Sequence, residues 1–231
     1  MRKRVLWCVT GSGSFMHECV EAVKTLVERG VAVEVCFSRG GEEVAKAYGV
    51  IDDFRALGVK LILERSYSGH EVAGRVASGR YRAVVIAPAT SNTVAKILLG
   101  VADTLPTIAA SQALKNRVPL YVAPSDYSDT VVTTFPCVVR VSACTLCATC
   151  VAFCPTNAIA LKGSSASIDY SKCVGCGICA ALCPSNAITC WAKAVYSCYA
   201  RDVGYSRELE KLGIRVYTNL SDLVSALLEG C

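Results

Sequence analysis

Fifteen cysteines stand among the 231 residues, and eight of them fall into two identical runs. Each run has the spacing Cys-x2-Cys-x2-Cys-x3-Cys-Pro. In such a pattern three thiolates from a short loop surround a 4Fe–4S cluster, and the fourth comes from the Cys-Pro of the other run. We therefore predict two clusters with crossed ligands. The first set is Cys144, Cys147, Cys150 and Cys183, and the second set is Cys154, Cys173, Cys176 and Cys179.

Zinc is the alternative metal for such a cysteine-rich segment. Zinc sites group their cysteines in pairs, however, rather than in runs of four that end in Cys-Pro. The spacing therefore favours iron–sulfur clusters. The other cysteines lie outside the pattern, and we expect them to be small buried apolar residues. They are Cys8, Cys19, Cys36, Cys137, Cys190, Cys198 and Cys231.

The composition indicates a folded protein outside the membrane. Hydrophobic residues make up 53% of the chain and charged residues 19%, which excludes intrinsic disorder. Apolar stretches such as residues 83–89 are too short to span a bilayer. The basic start precedes an apolar stretch that stops at Gly11, short of the roughly 7–15 residues of a secretory segment. We expect a cytoplasmic protein whose cysteines hold metal rather than form disulfides.

The net charge of +5 is mild, and the basic residues are scattered along the chain. Nucleic-acid binding requires a basic stripe or patch, so we expect no nucleic-acid partner. Each oxidised four-thiolate cluster carries a charge of about −2, so two clusters would offset most of the positive balance. The cofactors, rather than an acidic partner, therefore explain the charge.

Residues 1–140 alternate apolar strands with amphipathic helices. This alternation predicts an α/β fold, a doubly wound (Rossmann-like or flavodoxin-like) parallel sheet covered on both faces. Pro88 and Pro124 are expected to end their strands. The predicted strands are 4–9, 31–37, 61–63, 82–87 and 118–123, and the predicted helices are 15–28, 70–78 and 91–99.

The alternation breaks near Ser142, where a segment dense in Cys, Gly, Ala and Ser begins. After Trp191 it returns, with a helix predicted over 206–212, a strand over 214–217 and a helix over 221–228. We therefore predict that a small α+β two-cluster domain, residues 141–190, is inserted into an α/β domain of residues 1–140 and 191–231. A separate C-terminal hairpin beside the cysteine segment is the alternative.

Two polar segments follow strands of the predicted sheet. Gly-Ser-Gly-Ser precedes a helix, where backbone N–H groups favour a phosphate, but Met16 stands where a dinucleotide fingerprint has its third glycine. Hydroxyl and amide side chains follow the fourth strand, at the edge where open α/β sheets bind ligands. The candidate cofactor-binding residues are Gly11, Ser12, Gly13, Ser14, Ser38, Thr90, Ser91, Asn92 and Thr93.

These segments resemble the flavoprotein family of homo-oligomeric flavin-containing cysteine decarboxylases and flavin prenyltransferases. The resemblance rests on the Gly-Ser-Gly-Ser loop, Ser38, Pro-Ala-x-x-Asn-Thr at 88–93 and Gly-x-x-Asp-x-Leu at 100–105. It implies FMN at the candidate residues and trimers, or multiples of trimers, with flavin sites at subunit interfaces. The decarboxylase members carry a histidine shortly before the fourth strand and Pro-x-Met-Asn after the fifth. Here His70 lies earlier and residues 124–127 read Pro-Ser-Asp-Tyr, which argues against decarboxylation.

The cysteine segment resembles bacterial-type two-cluster ferredoxins, and the combination resembles the iron–sulfur flavoproteins of dihydromethanopterin reductase (acceptor) type. That resemblance implies an enzyme in which electrons from an external donor, such as a ferredoxin, pass through the clusters to FMN. They leave as hydride to the C=N bond of a pterin-like small molecule. No acid–base residue is evident, and Asp126 and Tyr127 are candidates from position alone. The alternatives are an electron carrier without a small-molecule substrate, and a decarboxylase or prenyltransferase with accessory clusters.

Overall fold

The computed structural model describes residues 4–66 and 68–230, so Cys231 lies outside the described residues. Twelve strands occur in that part of the chain. They are β1 (Arg4–Val9), β2 (Val33–Phe37), β3 (Lys60–Leu63), β4 (Tyr81–Ala89), β5 (Leu120–Pro124), β6 (Thr130–Thr134), β7 (Cys137–Val139), β8 (Ile159–Lys162), β9 (Ser165–Ile168), β10 (Ile188–Cys190), β11 (Lys193–Ser197) and β12 (Arg215–Val216).

Ten α-helices connect these strands in the described residues, with two short 3-10 turns at Val141–Ala143 and Leu209–Leu212. None of these helices has the length and apolar character needed to cross a membrane. The helices are α1 (Met16–Glu28), α2 (Arg39–Ala47), α3 (Ile51–Ala56), α4 (Gly69–Ala77), α5 (Ser91–Leu98), α6 (Leu105–Lys115), α7 (Thr149–Ala152), α8 (Ile178–Ala181), α9 (Ala200–Glu208) and α10 (Leu220–Glu229).

Six parallel strands form the central sheet, in the order β12-β5-β4-β1-β2-β3. Side chains of one face, including Trp7, pack with α1, α3 and α10, and those of the other face pack with α4, α5 and α6. Full burial of one large apolar side chain contributes roughly 1.5–3 kcal/mol. Apolar layers on both faces explain why strands such as β1 read as continuous hydrophobic runs. The predicted doubly wound α/β fold is confirmed.

The predicted elements recur in the structure with shifted ends. β4 continues through Pro88 to Ala89, which still pairs with Pro124, so the expectation that Pro88 ends the strand is wrong. Proline lacks an N–H but keeps its carbonyl, and here that carbonyl accepts bonds from Thr10. The helix predicted from residue 206 already begins at Ala200.

Sequence reasoning missed α2, α3 and α6, although two of them carry start signals. The hydroxyl of Ser38 caps α2 by accepting from the N–H of Gly41. Thr104 and Thr107 form a capping box at the start of α6, with Pro106 in its first turn. Such hydroxyl caps and an early proline are typical of helix starts.

Residues beyond the cysteine-rich segment return to the large sheet. β12 lies parallel to β5 at the sheet edge, and α10 packs against α1. β6 and β11 form a two-stranded antiparallel ribbon that leads out of and back into the α/β domain. The small domain that follows the ribbon contains the antiparallel pairs β7–β10 and β8–β9.

A buried carboxylate ties strand starts together at the amino edge of the sheet. Glu34 of β2 is 3% exposed, and its oxygens lie 2.7 Å from the Tyr81 hydroxyl and 2.8 Å from an Arg80 nitrogen. Side-chain nitrogens of Arg75 and Arg4 complete the cluster, at 3.2 and 3.5 Å from the Glu34 oxygens. Burial raises the pKa of Glu34, but the hydrogen bonds and charges of its partners outweigh burial and the net pKa is lowered.

We expect Glu34→Gln to destabilise the fold by about 3 kcal/mol at pH 7, because breaking a buried ion pair leaves charged partners uncompensated. Since the folded-state pKa lies below the unfolded value of about 4.3, this stabilisation is present above that value and is lost as the pH falls through the folded pKa. Denaturant titrations at pH 7 and pH 3.5 measure the difference. Glu43→Gln, which breaks an exposed pair with Arg39, is the control. An equal loss at both pH values would contradict the assignment.

Candidate cofactor sites

Two cavities in the small domain each collect four cysteines of the two runs. Each draws three cysteines from one run and one from the other, so the structure brings the eight residues together in the crossed grouping expected from their spacing. The first cavity is lined by Cys144, Cys147, Cys150 and Cys183, and the second by Cys154, Cys173, Cys176 and Cys179.

Left-handed backbone at matched positions bends both cysteine loops around their cavities. Leu146 has φ 57° and its counterpart Gly175 has φ 65°, and Ala148 has φ 62° where Gly177 has φ 77°. Glycine adopts this conformation freely, whereas leucine and alanine adopt it at a cost of roughly 1–2 kcal/mol. The first run therefore keeps the same loop shape against the local preference of its residues.

Backbone donors point at the Cys-Pro sulfurs. The N–H of Ala158 lies 3.2 Å from Cys154 Sγ, and that of Ala187 lies 3.2 Å from Cys183 Sγ. Burial raises the pKa of both thiols, but these hydrogen bonds outweigh burial and the net pKa is lowered. Thiolates are the form that binds metal. Four sulfurs around one space, two-residue spacers and N–H donors aimed at sulfur together fit a 4Fe–4S cluster at each site.

Burial outweighs the hydrogen bonds at cysteines deeper in the small domain, so their net pKa shift is upward. It raises the pKa of Cys150 and Cys173, and it raises the pKa of Cys179 to about 11. Metal binding at these positions must therefore displace protons, which couples cofactor loading to pH.

Three polar loops lie side by side at the carboxyl edge of the large sheet. They follow β1, β2 and β4, which are neighbours in the sheet. Thr10 links two of them, because its hydroxyl donates to the Pro88 carbonyl at 2.7 Å and accepts from the Thr90 N–H at 2.9 Å. The N-termini of α1, α2 and α5 begin at this edge, where their free N–H groups favour an anion.

Glycines in these loops allow close packing of one loop on another. A side chain at Gly13 would overlap the Tyr48 hydroxyl, and one at Gly11 would approach the Gly40 backbone to 3.2 Å. From the sequence we expect a phosphate beside the glycines. At Gly13 the space is filled instead by Tyr48, whose hydroxyl donates to the Thr134 carbonyl.

Asp126 lies just after β5 and links side chains along the carboxyl edge of the sheet, called the rim below. Its Oδ2 accepts from the hydroxyls of Ser91 at 2.5 Å and Ser125 at 2.6 Å, and its carbonyl accepts from Ser206 at 2.7 Å. The candidate residue Ser91 is thereby held in place by a candidate acid–base residue. Asn92 is exposed at the start of α5, and Thr93 is buried beneath it, bonded to Thr90.

Phe15, Tyr196 and Cys198, which sequence reasoning did not place here, complete this rim beside the named candidates Tyr127 and Ser14. Phe15 stacks on Tyr127 with ring centroids 5.9 Å apart, and the hydroxyls of Tyr196 and Ser14 lie 3.5 Å apart. Burial and the neighbouring Asp126 raise the pKa of Cys198 to about 11. Tyr196 and Cys198 come from the end of β11 and its following loop, more than a hundred residues from the glycine loop, so no local pattern could have indicated them.

An aromatic cluster joins the second cysteine site to the glycine loop. Trp191 Nε1 donates to the carbonyl of Gly175, inside the second cysteine loop, at 3.1 Å. The centroid of the Trp191 ring lies 5.5 Å from that of the Tyr48 ring and 5.3 Å from that of the His17 ring. Because Tyr48 packs against Gly13, the chain of contacts runs from one candidate site to the other. His70 is exposed on α4, outside this cluster.

Three cysteines outside the runs differ from expectation. Cys137 and Cys190 form a disulfide, so the prediction that they are separate apolar residues is wrong for this pair. The reason is register, because they stand directly opposite each other on β7 and β10. Cys8, Cys19 and Cys36 are buried free thiols, as expected, whereas Cys198 is half-buried.

Comparison with known proteins agrees with both halves of the structure. Residues 1–134 match the Flavoprotein family model, and residues 143–187 match the 4Fe-4S dicluster domain model. The crystal structure of DmrB from Burkholderia xenovorans in complex with FMN, described as a cubic protein cage for redox transfer, superposes with a TM-score of 0.65. It shares 25% identity and covers 99% of this chain and 94% of its own.

Two curated relatives are named dihydromethanopterin reductase (acceptor). The protein from Methanocaldococcus jannaschii is 38% identical over 174 residues, which is 71% of each chain. The protein from Methanosarcina mazei is 39% identical over 181 residues, which is 74% of this chain and 76% of the relative. The chain therefore belongs to the dihydromethanopterin reductase (acceptor) family, as an oxidoreductase that joins a flavoprotein domain to a 4Fe–4S dicluster domain.

Proposed function

We propose that this chain takes electrons from an external one-electron donor, passes them through two 4Fe–4S clusters and FMN, and reduces the C=N bond of a dihydropterin. The observation that carries the proposal is the contact between the second cysteine site and the flavoprotein edge, through Gly175, Trp191 and Tyr48. The names of the two relatives support the pterin as substrate.

Each cysteine set is proposed to bind one cluster. The first set supplies Cys144, Cys147, Cys150 and Cys183, and the second supplies Cys154, Cys173, Cys176 and Cys179. When bound, the clusters supply one-electron transfer and FMN converts it to two-electron chemistry. The loop of the second set packs on the flavoprotein domain, with the Val174 carbonyl close to Gly49 and Gly175 close to the Ala47 carbonyl. We therefore place the second site next to the flavin and the first next to the donor.

FMN is proposed to lie across the carboxyl edge between the glycine loop and α5. Ser38 caps α2 by accepting from an N–H group, which leaves its hydroxyl proton free to be donated to a ligand. Thr90 caps α5 in the same way, and its hydroxyl also lies 3.0 Å from that of Thr93. The Asn92 side chain is exposed and has no hydrogen-bond partner among the residues that the structure describes. The proposed contacts are Gly11, Ser12, Gly13, Ser14, Ser38, Thr90, Ser91, Asn92 and Thr93.

The substrate is proposed to bind on the Asp126 side of this edge. Reduction of a C=N bond requires hydride at carbon and a proton at nitrogen. Asp126 is fixed by Ser91 and Ser125, and Tyr127 stacks on Phe15 beside it. A flat heterocycle suits such an aromatic surface, and its nitrogens are proposed to face the carboxyl and phenol groups. We assign Asp126 or Tyr127 to the proton transfer.

Domain division and assembly follow the same proposal. We assign residues 1–140 and 191–231 to the flavoprotein domain and 141–190 to the inserted domain, supported by the return of β12 to the sheet.

An exposed apolar surface follows the proposed flavin segment on α5. Leu99 is 75% exposed and Val101 is 41% exposed, and both suit an apolar contact between subunits. A trimer or a multiple of trimers, working in a reducing cytoplasm, would cover them.

Cys147→Ser should damage the first cluster and leave the second. Anaerobic iron analysis should fall from about eight atoms per chain toward about four, because each cluster holds four irons. Cys198→Ser, outside both sets, should retain the full iron content. Purification of the wild-type chain with one tightly bound zinc would contradict the cluster assignment.

Asn92→Ala should weaken FMN binding about tenfold, the effect of losing one hydrogen bond to a polar or charged ligand group. Fluorescence titration of the flavin-free protein with FMN measures it. Asn116→Ala changes an equally exposed asparagine at the C-terminus of α6, on the opposite edge of the sheet, and should bind FMN like the wild type. Equal affinity of both variants would place the flavin elsewhere.

Anaerobic holoprotein with reduced viologen as donor should convert dihydromethanopterin to its tetrahydro form, followed by loss of the dihydropterin absorbance. Asp126→Asn should retain flavin and iron but lower kcat about 100-fold if Asp126 moves the proton. Tyr127→Phe is tested in parallel. Rapid electron transfer to a second protein with no pterin turnover would establish the electron carrier instead.

A further inference from the structure

We propose that Cys137 and Cys190 form a third redox centre of the small domain, a reversible disulfide that is reduced through the adjacent second cysteine site. The inference goes beyond the proposed function and rests on it only for the cluster at that site. It assigns a role to two cysteines that belong to neither ligand set.

The disulfide lies at the base of the small domain. Cys137 opens β7 and Cys190 closes β10, and the 53-residue separation between them contains all eight cysteines of the two runs. Backbone bonds already close this base, since Arg140 N–H donates to the Ala187 carbonyl at 2.7 Å and Trp191 N–H donates to the Phe135 carbonyl at 2.8 Å. Holding the two ends of the domain together therefore does not depend on the disulfide.

Direct sulfur contact links the disulfide to the second site. Cys137 Sγ lies 3.9 Å from Sγ of Cys179, and the sulfurs of Cys137, Cys179 and Cys190 all lie within 4.8 Å of one another. Cys137 also lines the same cavity as the second ligand set. The disulfide is thus in van der Waals contact with an atom proposed to bind iron, a placement suited to electron transfer between the two.

Burial favours this internal route over attack by a solution thiol. Cys137 is 1% exposed, and Cys179 is 8% exposed. Reduction by a solution thiol requires the attacking sulfur to reach a disulfide sulfur, and burial closes the Cys137 side of the bond, which leaves only the half-buried Cys190 open to attack. Disulfides found in proteins of a reducing cytoplasm are usually redox groups that form and break, rather than permanent structural cross-links.

The chemistry balances as a two-electron, two-proton reduction. Two electrons, supplied one at a time by the external donor through the second site, break the Cys137–Cys190 bond. Two protons from solvent convert the products to thiols, and Cys190, which is half-buried, lies nearer that solvent. The reverse step returns two electrons. Trp191 follows Cys190 and contacts Tyr48. The disulfide therefore lies beside the proposed electron route from the second site to FMN.

The test uses anaerobically purified holoprotein of known iron and flavin content. It is oxidised with ferricyanide, titrated with reduced methyl viologen, quenched in acid and alkylated under denaturing conditions, and peptide mass spectrometry quantifies the Cys137–Cys190 linkage. We expect the linkage to form on oxidation and its amount to fall at least about tenfold on reduction. The wild type should take up about two more electron equivalents per chain than the double variant Cys137→Ser/Cys190→Ser. That variant should match the wild type in iron and flavin.

Cys173→Ser, which removes a ligand of the second set, should slow reduction of the linkage about tenfold or more. Two outcomes would overturn the inference alone while the clusters stand. One is free thiols at both positions in oxidised protein containing about eight irons, and the other is a linkage that persists after iron and flavin are fully reduced. Iron-free protein whose linkage is reduced at the wild-type rate would overturn the route through the second site, whereas wild-type protein purified anaerobically without iron would overturn the cluster proposal.

Discussion

The small domain depends on the exchange of one cysteine between its two repeats. Cys183 joins the cavity of the first run and Cys154 joins that of the second, so neither site is complete until both repeats have folded against each other. With few large apolar side chains in this segment, sulfur and the proposed iron take the place of a conventional core. The matched left-handed residues of the two loops serve the same requirement, since they bring three sulfurs around each cavity.

The second constraint is the position of the small domain relative to the sheet. The β6–β11 ribbon fixes where the domain leaves the sheet, and Trp191 fixes which of its two loops faces the glycine loop. Gly175 is required there, because any side chain would overlap the Trp191 ring. The repeat is therefore symmetric in its sulfurs but not in its surroundings, and that asymmetry distinguishes the two sites in the proposed electron path.

Features set by neighbours in the chain could be predicted, and features set by distant contacts could not. The cysteine spacing indicates the crossed grouping because it is a local pattern, and the alternation of strands and helices predicts the parallel sheet. Tyr48, Trp191 and Tyr196 meet near the glycine loop only after the sheet and ribbon have formed. The Cys137–Cys190 pair depends on strand register, which no spacing rule specifies. For the same reason, the hydrogen bond from Ser91 to Asp126 could not be predicted, although both residues could be named.

The antiparallel ribbon has a consequence for how such a chain could have arisen. Because β6 and β11 run side by side from Thr130–Ser197 to Thr134–Lys193, the segment between them begins and ends within one strand spacing. A gene fragment that encodes a ferredoxin can enter or leave at that point without moving any strand of the large sheet. A short turn in its place would restore a plain hairpin. The architecture thus allows a flavoprotein to acquire a 4Fe–4S dicluster domain by a single recombination event.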